Sequence, residues 1–195
     1  MNDYSYRKLK LNEIEHVFDT HLYYHFPDAE IKPFWKIEKL YEEGYYHAYV
    51  MEQDQHLYGY AFLIIDPEDD LALLDYFAIN PSYRGQKIGS TFLKKLPELV
   101  SVSGILIESE IPDEALNQQA RQVREKRIDF YLKNGAILTP YYWQFYDVGF
   151  NLLYLPTSQT QAEQDLGDAI RNIAALSLSK EKLESKTKLI LLSER

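Results

Sequence analysis

At 195 residues, 46% hydrophobic and 26% charged, the chain has the size and composition of one globular domain with a short appendage, which excludes two full domains. No run approaches the roughly 18 apolar residues that a membrane span needs, and residues 1–10 have no apolar leader; zero cysteines exclude a disulfide framework and a thiolate metal site, so a cytoplasmic protein without a metal is expected. A net charge of −9 argues against a broad nucleic-acid or anionic-membrane surface and favours a cationic or neutral substrate.

In chain order, a strand at residues 4–9 precedes a helix capped at Asn12, with Ile14, Val17, Phe18 and Leu22 at helical spacing. Pro33 opens a second helix through Trp35, Ile37 and Leu40 that Gly44 stops. Three strands follow at 45–52, 57–65 and 71–79, with polar breaks that predict hairpins. A glycine-bearing loop then leads into a helical stripe of Ile88, Phe92, Leu93 and Leu96, which Pro97 should kink or end. Next come a strand at 104–109 and a long polar helix at about 113–134 burying Val123, Ile128, Tyr131 and Leu132. Strands at 136–139 and 149–155 complete the sheet. Beyond Pro156 the composition turns polar, with an amphipathic helix through Leu166, Ile170, Ile173 and Leu176. The reading is thus a domain over 1–155 and a helical appendage over 156–195 whose apolar face packs either on the domain or on a second copy in a homodimer.

The strand at 71–79, the turn Arg84-Gly85-Gln86-Lys87-Ile88-Gly89-Ser90 and the following helix form an arrangement in which unpaired backbone N–H groups at a helix start face an anion. Gly85 and Gly89 let the backbone approach a phosphate, while Arg84 and Lys87 add positive charge; the expected ligand is a pyrophosphate. No Gly-Lys-Ser/Thr closes the run, and the glycine spacing is not that of a dinucleotide fingerprint.

The chain here resembles the GNAT superfamily of N-acetyltransferases, whose signature is Arg or Gln, two residues, Gly, one residue, then Gly or Ala. Arg84 to Gly89 follows it, with Lys87 standing where the family has its first signature glycine. A second block, Arg127-Ile128-Asp129-Phe130-Tyr131-Leu132-Lys133-Asn134-Gly135, is similar to the family's later helix. The resemblance implies a mixed α/β fold with a mostly antiparallel sheet flanked by helices, acetyl-CoA as co-substrate, and transfer of its acetyl group to an amine of a small molecule or protein. It also implies that Phe77, Ala78 and Ile79 expose backbone to the pantetheine arm and that Tyr131 donates a proton to the CoA sulfur.

For a base, Glu108 and Glu110 are two apart on one strand and share a face, while Asp75 lies in an otherwise apolar strand and should not be buried without a partner. The two glutamates can equally bind a cationic substrate. The five histidines show no metal-ligand spacing and read as ordinary residues. A non-catalytic module that binds CoA for sensing or assembly is the alternative.

Overall fold

The computed structural model describes residues 4–157 and 165–192; the polar stretch after Thr157 and both chain ends lie partly outside this range. The chain divides into two compact units, one formed by the chain up to Ile65 together with Leu74–Phe92, the other by Asp66–Leu73 and the chain from Leu93 onward.

In the first unit, strands β1 (Ser5–Lys8), β2 (Tyr46–Gln53), β3 (His56–Asp66) and the later part of β4 (Leu71–Ile79) lie in that order. β1 and β3 both pair antiparallel with β2. The β2–β3 turn has left-handed backbone at Asp54 (φ 51°) and Gln55 (φ 64°), the twist that closes a two-residue hairpin. One sheet face is covered by apolar residues of the first helices, Ile14, Val17, Phe18, Leu22, Ile37 and Leu40, all buried. They come from α1 (Leu11–Val17) and α3 (Phe34–Glu42), and from a π-helical turn at Phe18–Leu22 that leads from α1 into α2 (Tyr23–His25). Two starts differ from expectation: α1 is capped by Lys10 instead of Asn12, with Glu13 accepting from the Lys10 N–H at 2.8 Å, and Pro33 is the cap of α3. Gly44, at φ 86°, closes α3 as expected. On the other face Phe92 meets the rings of Tyr6 and Phe77.

In the second unit, the first three residues of β4 pair parallel with β5 (Gly104–Glu110). β5 pairs antiparallel with β7 (Val148–Pro156), β7 with β6 (Ile137–Phe145), and β6 with β8 (Thr187–Leu191). The mixed, mostly antiparallel sheet flanked by helices is the architecture expected from the sequence.

Four local expectations change. The helix α4 (Ile88–Leu99) runs two residues past Pro97, which sits in its last turn, where only one ladder bond is lost. The predicted polar helix splits into a 3₁₀ turn at Pro112–Glu114 and α5 (Gln118–Lys133), whose start is fixed by Asn117 accepting from the Ala120 N–H at 2.9 Å. Of its four supposed core residues only Tyr131 is buried, whereas Val123 and Leu132 face solvent. β6 continues through Tyr141, Tyr142 and Trp143, past a register shift that begins after Leu138 and contains Pro140. The chain after Pro156 contributes α6 (Leu166–Ser177) and α7 (Lys180–Lys186), and also β8. The α6 residues Ala169, Ile170, Ile173 and Ala174 are buried, and Tyr141 donates to its cap Asp165 at 2.8 Å. Among the described residues no helix is long and apolar enough to cross a membrane.

Gly104 is required by packing. A Cβ there would meet the Tyr154 ring at 2.1 Å, and that ring is pinned by its hydroxyl, which donates to the Ser103 carbonyl at 3.0 Å. Gly104→Ala is expected to cost about 2 kcal/mol by overpacking, measured by urea unfolding; an unchanged midpoint would show that Tyr154 yields freely.

Candidate active site

The first unit holds the loop from Arg84 to Ser90 that the sequence marks as a candidate anion site. After β4, Asn80 caps a 3₁₀ turn at Pro81–Tyr83 by accepting from the Ser82 N–H at 3.1 Å. Gly85 then lies at φ 78° and Lys87 at φ 64°, both left-handed. Lys87 thus adopts a left-handed backbone of the kind that favours glycine, at a cost of about 1 kcal/mol for an L-residue with a Cβ. Its carbonyl accepts from the Thr91 N–H at 3.0 Å and begins α4, leaving the Ile88, Gly89 and Ser90 N–H groups without partners inside the helix. Arg84 directs its Nε–H to the Ile79 carbonyl at 3.0 Å, which anchors the guanidinium beside the loop. Arg84, Gln86 and Lys87 are exposed. Helix dipole, unpaired N–H groups and two cations together suit a pyrophosphate.

Within this unit β4 is the last strand, and among the described residues its ladder with β5 ends at Leu73. Backbone N–H and C=O groups past the end of a ladder can pair with an amide-bearing chain.

Asp75 has the partners that a carboxylate in an apolar strand requires. Its Oδ1 lies 2.6 Å from Lys32 Nζ, and Oδ2 accepts from the Tyr46 hydroxyl at 2.5 Å. Burial and the adjacent Asp75 charge push the Tyr46 phenol well above its ordinary range, so it stays a donor. The Lys32 N–H also donates to the Tyr76 hydroxyl at 2.9 Å, and Tyr76 donates to the Glu30 carbonyl at 3.1 Å. Asp75 thus ties the segment before α3 to β4.

In the second unit, Glu110 is bound by Arg124 and lies 3.5 Å from Arg127. Glu108 accepts from the fully buried Trp143 indole N–H at 2.6 Å, which fixes the carboxylate's orientation. Tyr131 is buried, and burial raises its phenol to about 12 against the opposing pull of Arg127. Among the described residues no group of His, Cys, Asp or Glu could hold a metal ion. Sequence reasoning missed Lys32, Tyr46 and Trp143, because each acquires its role from a partner 29 or more positions away.

Residues 44–135 match the acetyltransferase (GNAT) domain family. A curated Bacillus subtilis (strain 168) protein named for ribosomal-protein-bS18-alanine N-acetyltransferase activity is 33% identical over 96 residues; the match covers 48% of this chain and spans only 59% of that relative's length. Among solved structures, one from Bacteroides thetaiotaomicron assigned to the GNAT acetyltransferases superposes with a TM-score of 0.66 at 22% identity, covering 86% of this chain and 94% of that one. A Vibrio cholerae spermidine N-acetyltransferase in complex with CoA and spermine gives 0.55 at 16% identity, covering 80% of this chain and 96% of that one.

Two substitutions test the loop. Gly89→Asp sets a carboxylate against the phosphates and is expected to weaken acetyl-CoA binding by roughly tenfold or more in calorimetry; intact affinity would mean that the loop is misassigned. Lys87→Gly relieves the left-handed strain and should raise stability by about 0.5–1 kcal/mol in thermal unfolding.

Proposed function

We propose that this chain, whose residues 44–135 match the acetyltransferase (GNAT) domain family, is an acetyltransferase of that kind and transfers the acetyl group of acetyl-CoA directly to a primary amine of a small molecule or protein. The observation that carries the reading is the left-handed Lys87 backbone, which preserves the signature turn ahead of α4 although the glycine is gone. In this reading Arg84 to Ser90 bind the pyrophosphate and the backbone of β4 at Phe77, Ala78 and Ile79 aligns the pantetheine arm.

The chemistry requires a neutral amine, a stabilised oxyanion and a proton for the thiolate. The amine nitrogen attacks the thioester carbonyl carbon, the C–S bond breaks, the sulfur takes a proton and the nitrogen gives one up, so that an amide and a free thiol result. Tyr131 is the proposed donor: its phenol, raised to about 12, is protonated at neutral pH. Glu108 is the carboxylate proposed to receive the proton that the acceptor ammonium gives up, since the Trp143 N–H holds it in one orientation. Asp75 and Glu110, engaged by Lys32 and Tyr46 and by two arginines, are assigned to holding the segment before α3 and the middle of α5.

Tyr131→Phe is expected to lower turnover by roughly tenfold to a hundredfold while acetyl-CoA affinity stays near the wild-type value. Release of free thiol across a panel of amines measures it, and an unaltered rate removes Tyr131 from the mechanism. If acetyl-CoA binds yet no amine in the panel releases thiol, the chain is a CoA-binding module without this chemistry.

A further inference from the structure

The first helical segment carries a feature that the acetyl-transfer reading leaves unused. Phe18–Leu22 is a π-helical turn, a wide turn with i→i+5 hydrogen bonds that is uncommon outside functional sites. It sets His21 and His25 ring over ring, with centroids 6.2 Å apart and planes inclined by 21°. His25 in turn stacks on Tyr60 of β3, at 5.6 Å and 19°, and its Nδ1 lies 2.9 Å from the Tyr60 hydroxyl. The imidazole is therefore fixed in plane and in position by two rings and one hydrogen bond.

The tautomer follows from the partners. Tyr60 is buried, and burial raises its phenol far above the ordinary range against the opposing charge of Arg84, so it keeps its proton. Its hydroxyl has one partner among the described residues, and a buried O–H left without an acceptor costs about 1–3 kcal/mol. The O–H therefore points at Nδ1, and the neutral ring carries its own hydrogen on Nε2. Burial, then the charge of Arg84, then His21, disfavour the imidazolium. His21 is shifted the same way, by burial and then by His16. The His25 Nε2–H has no partner among the described residues, and the ring is half-buried, open on one side.

Tyr60, which holds this ring, lies beside the strand expected to hold the cofactor arm. Asn80 of the β4 exit donates to the Tyr58 carbonyl at 2.9 Å, and the Phe62 and Tyr76 rings meet 6.2 Å apart. As numbers rise along β3 from 58 to 62 they fall along β4 from 80 to 76, which sets Tyr60 beside Ala78. The groups collected here are a neutral N–H donor and the Arg84 cation. They suit an oxygen lone pair and disfavour a second ammonium group.

We infer that the His25 Nε2–H is a specificity determinant that donates to the carbonyl oxygen next to the acceptor's amine, so that this chain selects aminoacyl or peptide amines over polyamines. The inference rests on the acetyl-transfer reading and narrows its acceptor. Alaninamide, isopropylamine and spermidine, compared as acceptors by thiol release, test it. The wild type should use alaninamide best. His25→Ala should lower the alaninamide-to-isopropylamine ratio of kcat/KM by roughly tenfold, chiefly by raising the alaninamide KM, since one hydrogen bond of about 1.4 kcal/mol is a factor of ten. His25→Gln, which keeps an N–H, should retain most of the ratio. Amine basicity cancels, because the same two acceptors are compared in every variant. A wild type that prefers spermidine, or an alanine variant that slows both amines equally, overturns the inference. Nitrogen-15 NMR of the wild type at neutral pH gives an independent reading: His25 should be the Nε2–H tautomer, and an Nδ1–H tautomer or an imidazolium overturns it. If no amine releases thiol, the acetyl-transfer reading fails by itself. The site is then decided by whether alaninamide, and not isopropylamine, shifts the His25 Nε2 resonance; an unmoved resonance overturns it.

Discussion

The structure turns on one strand register. Among the described residues β4 pairs with β5 through Leu71, Leu73 and the residue between them, and its next six residues belong to the first unit. Backbone N–H and C=O groups cannot be left both buried and unpaired without a cost comparable to a lost hydrogen bond, so a strand that runs past its ladder needs water or an incoming chain. A ligand with amides along its length supplies such a chain. That constraint gives Phe77, Ala78 and Ile79 their interest, although none of the three has a reactive side chain.

The turn that follows solves a second geometric problem. To start α4 with its free N–H groups turned toward an anion, the chain must reverse within a few residues, and it does so through left-handed backbone at Gly85 and Lys87. Lysine is a poor occupant of that region, since its Cβ crowds the backbone. Its presence adds a cation beside the proposed phosphate position at the expense of conformational strain. Gly89, next in the signature, lies within the first turn of the helix.

Charged side chains are divided between holding and reacting. Asp75 joins Lys32 and Tyr46, and Glu110 joins Arg124 and Arg127; these pairs fix loops and helix ends. Glu108 is oriented by the neutral indole N–H of Trp143. His25 is kept uncharged and held by Tyr60.

The sequence by itself determined the succession of strands and helices through Ile79, the glycine-bearing turn between that strand and the helix at Ile88, and the family resemblance carried by that turn and by Phe130-Tyr131. Each is a local signal: alternation, helical spacing, or glycine where the backbone must turn. Tertiary structure alone decided the rest. β8 and the continuation of β6 exist because Thr187–Leu191 and Tyr141–Phe145 satisfy each other's hydrogen bonds across more than forty residues, and no window of a few residues contains that information. Val123 and Leu132 looked like core by spacing, yet α5 turns them to solvent, because the packing partner and not the helix chooses the buried face. The roles of Asp75, Glu110 and His25 likewise depend on which distant side chains reach them. Charge and hydrogen bonding act through space, whereas the sequence records only order along the chain.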